Sequence, residues 1–280
     1  MATVARCYGD LGGFKAVLGV PSTTTTFDAA LYRELLGASL SIDERCHRTF
    51  RIHKATLYLN PDSARVLDLG EHGLLSIDAS GLATDDGSRD YTTTWAATDY
   101  DLEPANAAEE NRPYEWVEVS PKGRYEFPKG LARGVRLAAT LGWWAETEAT
   151  GATCAEAVDT SETEIDISDY TLLAVGQTLL VDSEQMHVTA LTNAATDTMT
   201  VLRGVNGTTA ASHLTAAAIS RYAWPRPIVE ATYALAGRVG KRLANPTGII
   251  TAPEGEAVRM SGTDPIFDDL LRRGFVRVRI

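Results

Sequence analysis

The sequence predicts an α+β protein: a helical bundle built from the N- and C-terminal helices, a β-rich middle region, and an inserted small all-β domain. Three observations carry this prediction. Apolar residues near both ends recur at helical steps, as in Leu31, Leu35, Ala38, Ile42 and Cys46. The chain between those ends breaks into short branched and aromatic runs separated by turn residues. From about Thr147 to Arg221 the composition shifts to Ala, Thr and Asp, with few basic residues.

Taken in order, Asp10 caps a short helix through Phe14, Val17 and Leu18, and Gly19 with Pro21 stops it. A longer amphipathic helix runs from Asp28 to about Arg48, with Arg33, Asp43 and Glu44 off its apolar stripe. The runs at 55–59, 65–69, 74–78, 91–95, 100–103, 116–120 and 131–141 read as strands. Asn60-Pro61-Asp62, Ser80-Gly81, Asp85-Asp86-Gly87 and Pro121-Lys122-Gly123 separate them. Strands at 179–182, 185–190, 198–203 and 216–222 follow, and Asn206-Gly207 supplies a turn with positive φ. Ile228, Ala231, Leu235 and Val239 then mark a helix over 225–243, which Asn245-Pro246 ends. A polar loop with Gly248, Pro253 and Gly255 precedes a last helix over 264–272, with Asp264 as cap and Pro265 at its first position. The stripe of Leu31, Leu35 and Ile42 is expected to cover that of Ile228, Ala231, Leu235 and Val239, since neither buries itself.

Composition bounds the function. At ~150 residues per domain, 280 residues make one or two domains. With 44% hydrophobic and 22% charged residues the chain can bury a core. A net charge of −11, from 26 basic and 37 acidic residues, disfavours tight non-specific DNA binding. Cys7, Cys46 and Cys154 are odd in number and far apart, which argues for a reducing compartment and against a disulfide scaffold or thiolate metal site. The longest apolar runs, such as 172–175, fall far short of the ~18 residues of a membrane span. No basic-then-apolar leader opens the chain, so a cleaved secretory signal is not expected.

The ordered series of segments resembles the head–tail connector, or adaptor, proteins of long-tailed bacteriophages. It comprises the Gly9-Asp10-Leu11 helix start, Asp28-Ala29-Ala30-Leu31, and the stretch from Ser41-Ile42-Asp43-Glu44 to Thr49-Phe50. Asp99-Tyr100-Asp101-Leu102-Glu103-Pro104, Phe127-Pro128 and Leu141-Gly142-Trp143 continue it. In such proteins a proline and an alanine-rich helix follow the Gly-Trp; here Trp224-Pro225-Arg226-Pro227-Ile228 looks like that continuation, displaced by an insertion. The implied division is an adaptor body at 1–145 plus 224–280, with its β-rich region at about 51–143, and a β-sandwich or barrel-like domain at 146–223. The insertion's 175–184 stretch, Arg203-Gly204-Val205-Asn206-Gly207 and His213 are similar to small β modules of phage structural proteins. It is expected to leave and rejoin one loop and to project from the body.

The resemblance implies a non-enzymatic virion protein of the viral neck, assembled in the host cytoplasm. Such adaptors form a homo-oligomeric, dodecameric ring. They bind the portal, extend the DNA channel so that genomic DNA passes without sequence-specific contact, and offer a docking surface to the next connector, a stopper or tail terminator. A tail-completion or minor tail protein is the nearest alternative. A carbohydrate-active or metal-dependent enzyme with sites on the β loops is a more remote one.

No chemistry-bearing motif supports that last alternative. His47, His53, His72, His187 and His213 lack zinc-ligand spacing and are expected to be solvated or singly hydrogen-bonded. Asp166, Asp169, Asp182 and Glu184 lack the alternation of a calcium loop and read as a solvated acidic face. Phosphate-loop and dinucleotide fingerprints are absent, so no cofactor, metal or catalytic residue is assigned. Trp143, Trp144 and Trp224 read as packing where the insertion joins the body. The site expected to bind the portal or a neighbouring subunit is the basic C-terminus: Arg272, Arg273, Phe275, Val276, Arg277, Val278, Arg279 and Ile280. Gly274 ends the helix, and valines and isoleucine alternating with arginines form a strand suited to pairing with another chain.

Overall fold

The computed structural model describes residues 4–143, 146–244, 249–251, 257–259 and 275; for 239–244 and the strands at 249–251 and 257–259 it gives the backbone alone. Two helices open the chain, α1 (Leu11–Leu18) and α2 (Asp28–Cys46). Asp10 Oδ1 accepts the Gly13 N–H at 2.8 Å, and Gly19 ends α1 in the left-handed region at φ 69°. His47 closes α2 in the same conformation, at φ 52°.

Seven strands follow: β1 (His53–Leu59), β2 (Val66–Asp68), β3 (Leu74–Thr84), β4 (Thr93–Thr94), β5 (Tyr100–Glu103), β6 (Trp116–Val119) and β7 (Val135–Leu141). They form an antiparallel sheet of order β1-β7-β3-β4 and a second of order β2-β6-β5. Along β7 the residues Val135, Leu137, Ala139 and Leu141 are buried and those between are half-buried, the period-two signature of one covered face. They share a core with Leu67, Leu69, Leu74, Leu82, Trp95, Val117, Val119 and Phe127.

The third sheet contains β8 (Thr147–Thr153), β9 (Glu164–Asp166), β10 (Thr178–Val181), β11 (Glu184–Asn193), β12 (Asp197–Leu202) and β13 (Ala218–Tyr222), in the order β8-β13-β10-β11-β12-β9. A bridge between Cys154 and Ile167, with Ala155 N–H donating to Asp166 O at 2.8 Å, brings the two outer strands together. The sheet thus rolls around one core that includes Leu179, Val181, Met186, Val188, Met199 and Ile219. Tyr222 pairs with Thr147, so the segment enters and leaves on neighbouring strands.

Helix α3 (Arg226–Ala244) then returns to α2, and β14 (Ile249–Thr251) pairs with β15 (Ala257–Arg259) where the sequence reads as a polar loop. Ile42 and Cys46 of α2 share a core with Ile228 and Ala231 of α3, and Leu35 and Ala38 share another with Ala236. Leu31 and Leu235 pack on the second of these. Gly13 lets α1 approach α3: a Cβ there would lie 2.3 Å from the Tyr233 hydroxyl.

The architecture corrects the predicted fold class. Among the described residues there are three α-helices against fifteen strands, and the molecule is mainly β, not a helical bundle built from its two ends. The physical reason lies in the division of apolar surface. The helices bury two small clusters beside one another, while the short middle runs enclose the two largest cores. The last helix expected over 264–272 lies outside the described residues.

Leu35 is fully buried. Leu35→Ala is expected to cost ~2–5 kcal/mol by urea denaturation, the range for a large-to-small change in a core. A loss below ~0.5 kcal/mol would remove this stripe from the core.

Candidate functional site

Two arrangements gather charged and polar side chains: a buried carboxylate inside the third sheet, and the seam where that sheet meets the helices. Glu184 opens β11 just after a turn in which Asp182 has φ 51°. Its buried carboxylate accepts from Arg203 Nε at 2.7 Å and Nη2 at 2.8 Å, and from the Gly204 and Ala211 N–H groups at 2.8 and 2.9 Å. His213 Nε2 lies 2.9 Å from it, and the Nδ1 of the same ring lies 2.6 Å from Asp182. Arg203 also donates to the carbonyls of Asp159, Glu162 and Ala211. Burial alone would raise the Glu184 pKa; the donors outweigh it and pull it down to about 2. A carboxylate so held cannot take up a proton near neutral pH, and its lone pairs are committed. It fastens residues 203–213 onto the sheet and has no geometry for acid–base work.

The seam is also made of buried polar contacts. Asn206 accepts the Ala5 N–H at 3.0 Å and donates to Gln185 Oε1 at 3.0 Å. Gln185 Nε2 reaches across to the Ile52 carbonyl at 3.1 Å. The Tyr32 hydroxyl on α2 lies 2.6 Å from His187 Nε2, and Leu11 N–H donates to Val175 O at 2.9 Å. Gly207, at φ 83°, leaves no room for a Cβ, which would stand 2.2 Å from Lys54 O. The sheet expected to project from the body is therefore seated on it. Four contacts between segments far apart in sequence, Ala5–Asn206, Ile52–Gln185, Tyr32–His187 and Leu11–Val175, set that orientation.

Where the seam opens, a pocket of about 210 Å³ forms. Its walls include Tyr8, Tyr222, Trp224 and Tyr233, and its charged groups are Asp10, Glu148 and Arg221. Tyr222 and Trp224 stack at 5.9 Å, and Tyr8 meets Trp224 edge-on at 5.4 Å. Arg221 pairs with Glu148 at 2.8 Å. Burial pushes the Tyr222 and Tyr233 phenols up to about 12.

Several sequence expectations change here. His187 and His213 are buried with partners on both ring nitrogens, not solvated, and burial pushes His187 down to about 4. Glu184 does not belong to a solvated acidic face. The usable signal was the scarcity of cations: Arg203 and Arg221 are the only basic residues between 147 and 222, and each holds a glutamate. Trp143 packs in the helical core with the Arg48 guanidinium 4.8 Å above its ring. Asp85, Asp86 and Asp90 converge on a turn, where Asp85 accepts the N–H groups of Gly87 and Arg89.

Of the expected C-terminal binding set, Phe275 alone is among the described residues. Its half-buried ring packs against Phe50 at 5.9 Å and Trp143 at 5.2 Å, at the edge of the helical core. Arg272, Arg273, Val276, Arg277, Val278, Arg279 and Ile280 lie outside the described residues. No helix among the described residues is long and apolar enough to cross a membrane. Compared with known proteins, the chain matches no family model, no curated protein and no solved structure.

The Glu184 cluster has a pH signature. Its folded pKa is depressed, so the folded state binds fewer protons than the unfolded one, and its stabilisation is complete above about 4.5 and lost as pH falls toward about 2. That amounts to roughly 3 kcal/mol. Glu184→Gln leaves Arg203 buried without its counter-ion and is expected to cost ~3–5 kcal/mol at pH 7 in chemical denaturation, with a smaller difference from the parent chain at pH 2. Equal stability of the two chains at pH 7 would contradict this.

Proposed function

We propose that this chain is a structural virion protein, a ring-forming head–tail adaptor that binds the portal, extends the DNA channel and presents a docking surface to the next connector or tail component. The observation that carries this reading is the layout of the chain around the α2–α3 pair. The chain leaves α2, builds the first two sheets, returns at Trp143, builds the third sheet, and returns again at Trp224 to enter α3. That is the order of segments on which the adaptor resemblance rests, with the third sheet inserted between Gly142-Trp143 and Trp224-Pro225.

Two further features support it. The most elaborate titratable cluster, Glu184 with Arg203 and His213, fastens a loop, so it offers nothing to a substrate. The acidic balance of −11 suits a channel through which DNA slides, because a basic lumen would retain it. On this reading the basic C-terminal segment joins a neighbouring protein through strand pairing and charge.

Phe275 must be kept in any test, because it is part of the helical core. A chain ending at Phe275 is expected to fold like the full chain but to lose attachment to portal-bearing capsids. Arg277→Glu with Arg279→Glu is expected to weaken attachment in a salt-dependent way. Two-dimensional class averages of the assembled protein are expected to show closed rings. Wild-type attachment by the shortened chain would remove the terminus from the joining surface, and a monomer under all assembly conditions would remove the adaptor reading itself.

A further inference from the structure

Packing elsewhere in the molecule sets the walls of the seam pocket in place. Three of its rings, Tyr222, Trp224 and Tyr233, are half-buried and keep part of their surface open. Tyr222 and Trp224 stack with 16° between their planes, and the fully buried Tyr8 meets Trp224 edge-on. Tyr233 stacks on Phe14 at 5.8 Å, and Gly9 and Gly13 carry no Cβ to displace it. Walls fixed in this way lose little freedom when a ligand arrives.

The charges in the lining do not cancel. Arg221 donates through Nε at 3.0 Å and Nη2 at 2.8 Å, both to Glu148 Oε2. Asp10 Oδ1 holds the Gly13 N–H. Glu148 Oε1 and Asp10 Oδ2 accept from no described residue. Two carboxylates and one guanidinium leave one net negative charge among π faces. Such surroundings attract a cation that has N–H groups to donate and repel an anion. At about 210 Å³ the pocket lies below the ~300–1,000 Å³ of sites for drug-sized ligands, so it suits a small molecule and not a peptide.

We infer that the seam pocket binds a small organic monocation with N–H donors, of the class of protonated amines, guanidines and amidines. Its charged head meets the free carboxylate oxygens of Asp10 and Glu148, and its apolar body lies against the rings. Glu148, Arg221 and Tyr222 belong to the third sheet, whereas Asp10 caps α1 and Tyr233 stands on α3. The ligand therefore bridges the seam and stabilises the seating of the sheet on the helices. The site is independent of the adaptor reading.

The test uses benzamidine, a planar monocation with N–H donors, titrated into the full chain by calorimetry. It is expected to bind with one molecule per chain. Benzamide, its neutral counterpart of the same shape, is expected to bind about tenfold or more weakly, and benzoate not at all. Benzamidine at about five times its dissociation constant is expected to raise the unfolding midpoint by about 2 °C. Asp10→Asn keeps a side-chain oxygen for the α1 cap, and Glu148 is largely exposed, so Asp10→Asn and Glu148→Gln both leave the fold intact, as circular dichroism will show. Each removes one negative charge and is expected to weaken benzamidine about tenfold. No binding at millimolar benzamidine, equal binding of benzamide or benzoate, or unchanged affinity in both variants would each overturn the site. Ring formation by the same chain reports on the adaptor reading alone, so the two can fail separately.

Discussion

The hydroxyl of Tyr8 is the contact on which most of the arrangement depends. The side chain is fully buried. Its O–H donates to Asp43 Oδ1 at 2.6 Å and accepts the N–H groups of Phe50 and Arg51 at 3.1 and 3.2 Å. The Tyr8 N–H donates to Ser39 Oγ at 3.0 Å. One residue near the N-terminus therefore fixes the last turns of α2 and the entry to β1. Its ring meets Phe50 and Trp224 edge-on, which ties the same point to α3 and the pocket. Had these buried N–H and carboxyl groups no phenol between them, each would lose a hydrogen bond without gaining water, at roughly 1–3 kcal/mol apiece.

This hub carries a cost. Burial pushes the Asp43 carboxyl up to about 6, even though the Tyr8 hydroxyl and the Arg6 guanidinium at 3.1 Å pull it down. The folded pKa lies above the unfolded one, so the folded state holds the extra proton, and this group's contribution falls as pH rises from about 4 through about 6. Glu184 is the opposite case. It too is enclosed, yet it accepts from a bidentate arginine, two backbone N–H groups and a histidine, and these donors more than offset its desolvation. The two carboxylates show that burial alone does not set the direction of a shift; the number of donors aimed at the charge does.

The seam links these two hubs. Its contacts are hydrogen bonds between buried side chains and backbone, with Asn206 and Gln185 each bonded to the other and to the body. Polar contacts of this kind fix direction more strictly than apolar packing, because a misplaced donor is left unsatisfied. They give the third sheet a defined seat, and the pocket walls a fixed spacing. The Phe275 ring packs on Phe50 and Trp143 in the helical core.

Local chemistry in the sequence determined the local structure. Asp10 and Gly19 bound α1, the apolar stripe gives α2, Asn206 and Gly207 take positive φ, and the shift in composition after Trp143 marks the third sheet. The stripes on α2 and α3 also identify partners across the length of the chain, since each needed apolar cover. What the sequence could not decide was how much of the molecule those helices govern, because strand pairing joins residues without a local signal. β1 pairs with β7 across the whole first β region without a local signal, and among the described residues the two β cores are larger than the helical ones. The candidate sites were hidden for the same reason. Glu184 and His213 are 29 residues apart, Tyr32 and His187 are 155 apart, and Ala5 and Asn206 are 201 apart. Side chains in such pairs read as ordinary turn, strand or surface residues until folding closes the intervening chain and removes the water that would otherwise satisfy them.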